Sequence, residues 1–290
     1  MHDIVSKSIL SPQNGMNLYR GCQHGCIYCD SRSLCYRMNH RFEDVAVKKN
    51  GVELLELALK RKRRPCMIAT GTMSDPYTPI EAELKVTRRA LEVIEKYGCG
   101  AAILTKSDLI LRDLDILRRI NRRSKAVVQL SLTSMDDRLS RLIEPNVCPT
   151  SRRIEVLKEF QRAGIPTVVW LCPILPYIND TGANIEGILE SCIEAGVSGI
   201  LCFNMGVTLR EGNREYFYTQ LDRHFPGMRE RYIRSFGNAY ELNSHRNGEL
   251  MRLYHKICEK AGMMHDPREI FTYLHTFEEK GNAGQISFFD

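Results

Sequence analysis

The sequence predicts an α/β fold in which helices cover one parallel sheet. From about residue 65 onward, short apolar segments alternate with segments whose apolar residues recur at helical spacing. Three of the helical segments end at a glycine, and the next apolar segment follows within a few residues. Nearly continuous apolar strands are typical of parallel sheets, because both of their faces are buried.

Six strand–helix units account for most of the chain. The first strand is predicted near Met16 to Tyr19, and a helix follows over residues 52–62. Later strands are predicted over residues 67–70, 101–104, 127–132, 167–171 and 199–203. Right-handed crossovers favour a single sheet, either open and doubly wound or curved into a barrel. Six units are fewer than the eight of a closed barrel.

Capping residues indicate where the helices begin and end. Thr78-Pro79-Ile80-Glu81 places a hydroxyl, a proline and a glutamate in the order expected of a helix N-terminus, and the apolar stripe that follows stops at Gly98. Gly164 and Gly196 stop two further stripes, since glycine adopts the left-handed conformation that closes a last turn. A further helix is predicted over residues 249–260.

These elements give four regions. Residues 1–15 form an N-terminal segment, and residues 16–223 form the core. Residues 224–280 are more polar, and no linker precedes them, so we expect an extension packed on the core. Residues 281–290 begin with a glycine-rich stretch that predicts a flexible tail.

Composition predicts a cytoplasmic protein. The eleven cysteines mostly stand singly in apolar segments, which favours free thiols in a reducing compartment. No apolar stretch approaches the ~20 residues of a membrane span, and the first residues lack the pattern of a secretion signal. The formal net charge of +6 permits contact with nucleic acid. Basic runs such as residues 60–64 are more simply explained as solvated helix ends.

Three cysteines stand within eight positions, at Cys22, Cys26 and Cys29. Clustered thiolates bind zinc or iron–sulfur centres, but a structural zinc site needs four protein ligands. Cys35 lies six residues further on, no second pair with C-x2-C spacing exists, and His24 is not at a ligand spacing. Three ligands from one loop suit a four-iron cluster in which one iron stays open to substrate.

The stretch NLYRGCQHGCIYCDSRS, with its C-x3-C-x-aromatic-C pattern, resembles the radical S-adenosylmethionine (SAM) enzymes. Within them it looks like the branch of spore photoproduct lyase and its "DNA repair photolyase" relatives. The likeness continues through GTMSDPYTPIE, LTKSDLILRDLDIL, LSLTSMDDRLSRLIEP and PILPYIND, so it covers roughly residues 15–205.

The resemblance implies a partial (β/α)6 TIM-like barrel with a C-terminal extension. Cys22, Cys26 and Cys29 would hold a [4Fe–4S] cluster whose free iron binds SAM. One-electron reduction by an external donor of the flavodoxin or ferredoxin type would then yield a 5′-deoxyadenosyl radical. That radical would abstract hydrogen from a substrate, which in this branch is DNA or a nucleotide.

The resemblance also implies further cofactor-binding residues. Tyr28 would lie against the adenine, and Lys106 would pair with the cofactor carboxylate. After the second strand, Thr72, Ser74 and Asp75 would meet the methionyl group. At the end of the fourth strand, Ser131 and Thr133 would contact the ribose or the carboxylate. All follow parallel strands at their carboxyl ends, where such sheets bind ligands. Loop packing of Tyr28 and solvent exposure of Lys106 are the alternatives.

One position departs from the branch. Spore photoproduct lyase has a cysteine after the second strand that returns a hydrogen atom to the product, and Thr72 stands there in this chain. A thiol could come instead from Cys66, Cys99, Cys172 or Cys202, although each is more simply a buried structural thiol. Tyr77 and Tyr177 are expected either in a substrate pocket or in the core.

The last residues suggest a partner. Gln285-Ile286-Ser287-Phe288-Phe289 resembles the peptide by which bacterial polymerases and repair proteins bind the sliding clamp. Packing of Phe288 and Phe289 on this chain's own core is the alternative.

Two other functions are also consistent with the sequence. The first keeps the radical chemistry but directs it at a tRNA, a peptide or a small molecule. The second is a zinc-stabilised nucleic-acid-binding module without catalysis, which would contain zinc and would not respond to SAM.

Overall fold

The structure is a computed structural model that describes residues 1–280. Its central feature is a six-stranded sheet in the order β2-β5-β6-β7-β8-β9, in which every neighbouring pair is parallel. The strands are β2 (Gly15–Met16), β5 (Met67–Thr70), β6 (Gly100–Thr105), β7 (Ala126–Ser131), β8 (Thr167–Trp170) and β9 (Gly199–Leu201). The predicted α/β fold with six parallel strands, a partial TIM-like barrel, is confirmed.

Two small sheets flank the main one. β1 (His2–Ile4) pairs in parallel with β4 (Ala46–Lys48), which pairs antiparallel with β3 (Tyr19–Arg20). β10 (Gly206–Thr208) and β11 (Glu241–Asn243) form an antiparallel pair. The predicted strand near Met16 to Tyr19 is therefore two strands in different sheets.

Eleven α-helices lie within residues 1–280. They are α1 (Gly51–Lys60), α2 (Glu81–Leu84), α3 (Val86–Lys96), α4 (Leu114–Arg123), α5 (Asp137–Ile143), α6 (Thr150–Arg162), α7 (Gly182–Glu194), α8 (Asn213–His224), α9 (Met228–Phe236), α10 (Asn247–Lys260) and α11 (Pro267–His275). Short 3-10 turns occupy Asp30–Arg32, Leu34–Tyr36 and Asp108–Asp113. No helix in this part of the chain is both long enough and apolar enough to cross a membrane.

Successive residues of each strand face opposite sides of the sheet. Ile68, Val128 and Val169 join the large core beneath the outer helices, and their neighbours Val127 and Val168 point the other way. That inner cluster is completed by Ile270 and Leu274 of α11. The last helix therefore packs inside the curved sheet, and the strands are buried on both faces.

The helix start predicted at Thr78 is wrong. The helix begins at Glu81, breaks at Lys85, where φ is 51°, and resumes as α3. The Thr78 hydroxyl accepts a hydrogen bond from the backbone N–H of Gln23 at 3.1 Å instead of capping the helix. Glu81 is buried and forms an ion pair with Arg112 at 2.6 Å. Tertiary contacts therefore engage both the Thr78 hydroxyl and the Glu81 carboxylate, the two groups that a capping box would use.

Candidate cofactor site

The loop that carries the three cysteines follows β3 and is fixed by backbone hydrogen bonds. The N–H of Cys22 donates to the Phe42 carbonyl at 3.0 Å, and that of Ile27 donates to the Ile143 carbonyl at 2.9 Å. Gly21 has a φ of +89°, and a Cβ there would lie 2.4 Å from the Phe42 oxygen. Only glycine therefore fits where the loop leaves the strand.

The three thiols face one cavity of about 660 Å³. Of the residues that the sequence predicted as cofactor contacts, all but one also line it: Tyr28, Thr72, Ser74, Asp75, Lys106 and Ser131. The exception, Thr133, is fully buried and is not part of the lining. Its carbonyl accepts hydrogen bonds from the side chains of Asn179 and Asn184. The expected contact between Thr133 and the cofactor has no support in this geometry.

The sulfur atoms of Cys22, Cys26 and Cys29 are neighbours but do not form a tight cluster. The three thiols affect one another's ionisation, yet their sulfur atoms do not all lie within 4.8 Å of one another. Burial raises the pKa of Cys26 and Cys29. In Cys22 burial also favours the thiol, but the adjacent His24 outweighs it and lowers the pKa.

His24 is a part of the site that the sequence analysis missed. It is 3% exposed, with Nε2 3.2 Å from the Tyr77 carbonyl and Nδ1 3.3 Å from the Asp75 carboxylate. Burial alone would lower its pKa, but Cys22 and Asp75 raise it well above the usual value. The imidazole therefore joins a cysteine of the loop to the segment after β5. The position of His24 in the sequence does not match a metal-ligand spacing, so its contact with Asp75 is visible only in the folded structure.

Asp75 lies at the centre of this connection. Its Oδ1 accepts hydrogen bonds from the Thr105 hydroxyl at 2.6 Å and the Tyr77 N–H at 2.9 Å, and its Oδ2 accepts from the Lys106 N–H at 2.9 Å. Burial would raise its pKa, but His24 and these donors lower it to about 2. Both carboxylate oxygens are used by the protein, so Asp75 fixes the loops around the cavity.

Ser74 is hydrogen-bonded to the protein, whereas the structure gives Thr72 a place in the cavity lining. The Ser74 hydroxyl donates to the Gly21 carbonyl at 2.5 Å and so ties the segment after β5 to the cysteine loop. Thr72 is exposed and lines the cavity. Gly71, just before it, has a φ of +106°, and a Cβ there would lie 1.9 Å from the Leu104 oxygen. Only glycine therefore fits where the ends of β5 and β6 approach each other.

A buried ion pair supports the aromatic residue of the motif. The Tyr28 hydroxyl donates to the Glu144 carboxylate, which also pairs with Arg153. Glu144 and Arg153 are both 0% exposed. Arg153 also donates to the carbonyls of Ser131 and Cys148, each at 2.9 Å. These contacts fix Tyr28 against the ends of β7 and the following loop.

The side chain of Lys106 lies near Tyr28 and the ion pair of Glu144 and Arg153. Its ammonium nitrogen lies 6.0 Å from the centre of the Tyr28 ring. Burial lowers the pKa of Lys106, but Cys26, Glu144 and Asp75 outweigh it and raise the pKa above the usual value. A cation is therefore held at the cavity wall next to the cysteines.

Another part of the cavity wall contains aromatic and amide side chains. Phe203 is 53% exposed although it is a large apolar residue, and its ring stacks on Phe271 of α11 with centroids 6.2 Å apart. Trp170 meets Phe203 edge-on at 6.4 Å, and its indole N–H donates to Gln129. The lining here also includes Cys172, Asn204, Glu241 and Asn243. The sequence analysis did not identify these residues as parts of the site, except for Cys172.

Other residues considered from the sequence lie elsewhere. Tyr77 is fully buried and donates to Asp113 at 3.0 Å, so it belongs to the core. Tyr177 donates to Ser235 at 2.9 Å and is not part of the lining. Of the four alternative thiols, Cys172 lines the cavity and Cys66, Cys99 and Cys202 do not.

Comparison with known proteins agrees with this geometry. A sequence profile described as the radical SAM superfamily matches residues 16–192. An uncharacterized protein of Mycobacterium tuberculosis is 29% identical over 246 residues, which span 80% of this chain and 72% of the relative. A radical SAM Nalpha-GlyT isomerase of Pseudomonas phage M6 is 26% identical over 157 residues, 54% of this chain and 32% of that protein.

A solved structure shares the fold. It is a spore photoproduct lyase mutant with bound AdoMet and dinucleoside spore photoproduct, which superposes with a TM-score of 0.65 at 13% identity. The match covers 91% of this chain and 80% of that chain. The chain therefore belongs to the radical SAM superfamily, whose members use a [4Fe–4S] cluster and S-adenosylmethionine.

Proposed function

We propose that this protein is a radical SAM enzyme that acts on DNA or a nucleotide. Cys22, Cys26 and Cys29 hold the cluster. When cluster and SAM are bound, one-electron reduction cleaves a carbon–sulfur bond of SAM and supplies a 5′-deoxyadenosyl radical for hydrogen abstraction. The chain's own contribution is to bind, orient and shield these groups.

The spacing of the three sulfur atoms carries this proposal. Two thiolates on one tetrahedral zinc ion lie about 3.8 Å apart, since each Zn–S bond is about 2.3 Å. The three sulfur atoms here do not fit within 4.8 Å of one another. A cluster distributes its ligands over different irons, so it suits the wider spacing, and this observation disfavours the zinc module.

The remaining site residues divide into two groups. Lys106, Thr72, Ser131 and the ring of Tyr28 line the cavity and are proposed to contact SAM. Ser74 and Asp75 line it too, but their polar atoms are bonded to the protein, so we assign them a positioning role. Lys106 supplies the positive charge that a carboxylate of the cofactor needs.

Three observations support a nucleic-acid substrate. The exposed ring of Phe203 offers a stacking surface within the cavity, beside the amides of Asn204 and Asn243. Stacking on aromatic residues is a common way to bind unpaired bases. The net charge is +6, and the fold is shared with a lyase whose structure contains a dinucleoside photoproduct.

The return of a hydrogen atom would differ from that in spore photoproduct lyase. Thr72 replaces the expected cysteine, and its O–H bond is too strong to serve as a hydrogen-atom donor. Cys172 lines the same cavity, and burial raises its pKa to about 11, so it stays a neutral thiol. We therefore place this role, if the reaction needs it, at Cys172.

Radical modification of a tRNA, a peptide or a small molecule is the second candidate. The phage relative is an isomerase, so radical SAM proteins similar to this chain are not confined to lyase reactions. Both candidates require an external electron donor, which we propose to be a flavodoxin or ferredoxin.

Anaerobic purification and reduction test the proposal. The enzyme should contain about four irons per chain, bind SAM and release 5′-deoxyadenosine on reduction. A series of dinucleosides and oligonucleotides with defined lesions should then include one that is consumed, whereas tRNA and peptide pools should not be modified. One bound zinc and no SAM cleavage would contradict the enzyme, and modification of tRNA or peptide alone would favour the second candidate.

The clamp-binding peptide Gln285–Phe289 lies outside the described residues and stays a proposal. A peptide of residues 281–290 should bind the bacterial sliding clamp, and the Gln285→Ala, Phe289→Ala peptide should not. Equal affinity of the two peptides, or no binding by either, would remove this partner.

A further inference from the structure

We infer that His2, His40 and Asp44 form a binding site for a divalent transition-metal ion such as zinc, separate from the cysteine loop. One ligand atom from each side chain lies within 4.8 Å of the other two. Within residues 1–280, no other set of three or more His, Cys, Asp or Glu side chains meets this distance. The group therefore differs from scattered surface residues in its spacing.

Backbone pairing holds two of the three residues together. His2 pairs with Ala46 where β1 and β4 run in parallel, and its N–H donates to the Val45 carbonyl at 3.2 Å. Asp44 directly precedes this paired segment. His2 and Asp44 are thus placed by a sheet and not by loop conformation alone.

The third residue has an unused nitrogen. Nδ1 of His40 lies 3.0 Å from the Arg41 carbonyl, so it carries the proton in that contact. Nε2 is then left with its lone pair, and it is shielded from solvent without a hydrogen-bond partner among residues 1–280. A histidine that donates one N–H to a carbonyl and directs its other nitrogen elsewhere has the usual arrangement of a metal ligand.

The neighbouring contacts show where an ion would enter. Asp44 Oδ2 lies 3.0 Å from Nδ1 of His2, and Oδ1 lies 2.9 Å from the amino nitrogen of Met1. The His2 and His40 rings meet edge-on, with centroids 4.7 Å apart. His2 and Asp44 are 38% and 43% exposed, so an ion can reach them and replace the proton that they share.

Two imidazoles and a carboxylate suit zinc or nickel more than calcium or magnesium, which prefer oxygen ligands. Water would complete the coordination. A bound ion would link β1 to the segment that contains His40 and Asp44.

Zinc titration of the anaerobically purified, cluster-loaded enzyme tests the inference. Calorimetry should show one zinc bound per chain, and His40→Gln and Asp44→Asn should each weaken binding by about tenfold or more. His275→Gln is the matched control, because His275 is exposed and its Nδ1 also contacts a backbone carbonyl, that of Phe271. Circular dichroism checks that the variants are folded.

X-ray absorption at the zinc edge locates the ion. Nitrogen and oxygen neighbours at about 2.0–2.1 Å support the site, whereas sulfur at about 2.3 Å places zinc on the cysteines and overturns it. Equal zinc affinity in the parent, His40→Gln and Asp44→Asn also overturns it. SAM cleavage should be unchanged in His40→Gln, so failure of this inference is distinguishable from failure of the proposed function.

Discussion

The hydroxyl of Tyr28 donates a hydrogen bond to the carboxylate of Glu144, although 116 residues separate them in the sequence. Glu144 is paired in turn with Arg153, and neither side chain is exposed. The aromatic residue of the cysteine motif is thus held by a buried ion pair from α6 and the end of α5. This relationship connects the stability of the fold with the geometry of the cavity.

Glu144→Ala should destabilise the protein by about 3–5 kcal/mol, because it leaves the Arg153 cation buried without a partner. Urea unfolding measures the change in the free energy of unfolding. Tyr28→Phe is the control, since it removes the hydroxyl but keeps the ion pair, and it should cost about 1–2 kcal/mol. Equal stability of Glu144→Ala and the parent would contradict the assigned role of the pair.

The same carboxylate predicts a pH dependence of stability. Burial would raise the pKa of Glu144, but Arg153 and Lys106 outweigh it and lower the pKa below the usual 4.5. A lowered pKa means that the pair contributes its full stability above about pH 4.5 and loses it as the pH falls through the folded-state value. Urea unfolding between about pH 3 and pH 7 measures the free energy of unfolding on both sides of this transition. This free energy should change less with pH in Glu144→Gln than in the parent.

Cys26→Ala should abolish cluster binding and SAM cleavage but leave the fold intact, because the cysteine loop is also held by backbone hydrogen bonds. Iron content and 5′-deoxyadenosine release after reduction are the measurements. The matched control is Cys35→Ala, which removes an exposed thiol close to the loop in sequence. Retention of the full iron content by Cys26→Ala, or its loss in Cys35→Ala, would show that the ligands are misassigned.

Lys106→Ala should keep the cluster and weaken the binding of SAM, since the cation at the cavity wall is removed. A tenfold rise in Kd corresponds to about 1.4 kcal/mol, and at least this effect is expected of a charged contact. Equilibrium dialysis under anaerobic conditions measures it. Lys106→Met should behave in the same way, whereas Lys256→Ala, at an exposed position of α10, should bind SAM like the parent. Parent-like binding in Lys106→Ala would refute this contact.

Cys172→Ala should retain the cluster, SAM binding and reductive cleavage, because its thiol lines the cavity but is not one of the three loop cysteines. With a nucleic-acid substrate, the change should appear in the products, as a shift from the normal product to side products of an unquenched radical. Product analysis by mass spectrometry compares it with Cys202→Ala, a buried thiol that is not part of the lining. An unchanged product distribution would remove Cys172 from the proposed reaction.

The sequence predicted the sheet well because its strands are buried on both faces and are therefore almost uninterrupted apolar segments. Local motifs, and the resemblance that they carry, could predict that the cysteine loop and the residues after the second and third strands line one cavity. His24, Glu144 and Phe203 could not, because their roles depend on residues far away in the chain. Thr78 shows the opposite error, since a local capping pattern was overridden by a contact with the cysteine loop.

Phe271 lies in the C-terminal helix and supports the exposed ring of Phe203 from behind. One aromatic residue of the cavity wall is therefore supported by a helix that lies outside residues 16–192, the part of the chain that the superfamily profile matches. A change in α11 would alter the support of the Phe203 ring without altering any residue of the barrel motifs. Under the proposed stacking of a substrate base on Phe203, selectivity depends in part on Phe271, which lies 249 positions beyond Cys22, the first cysteine of the motif.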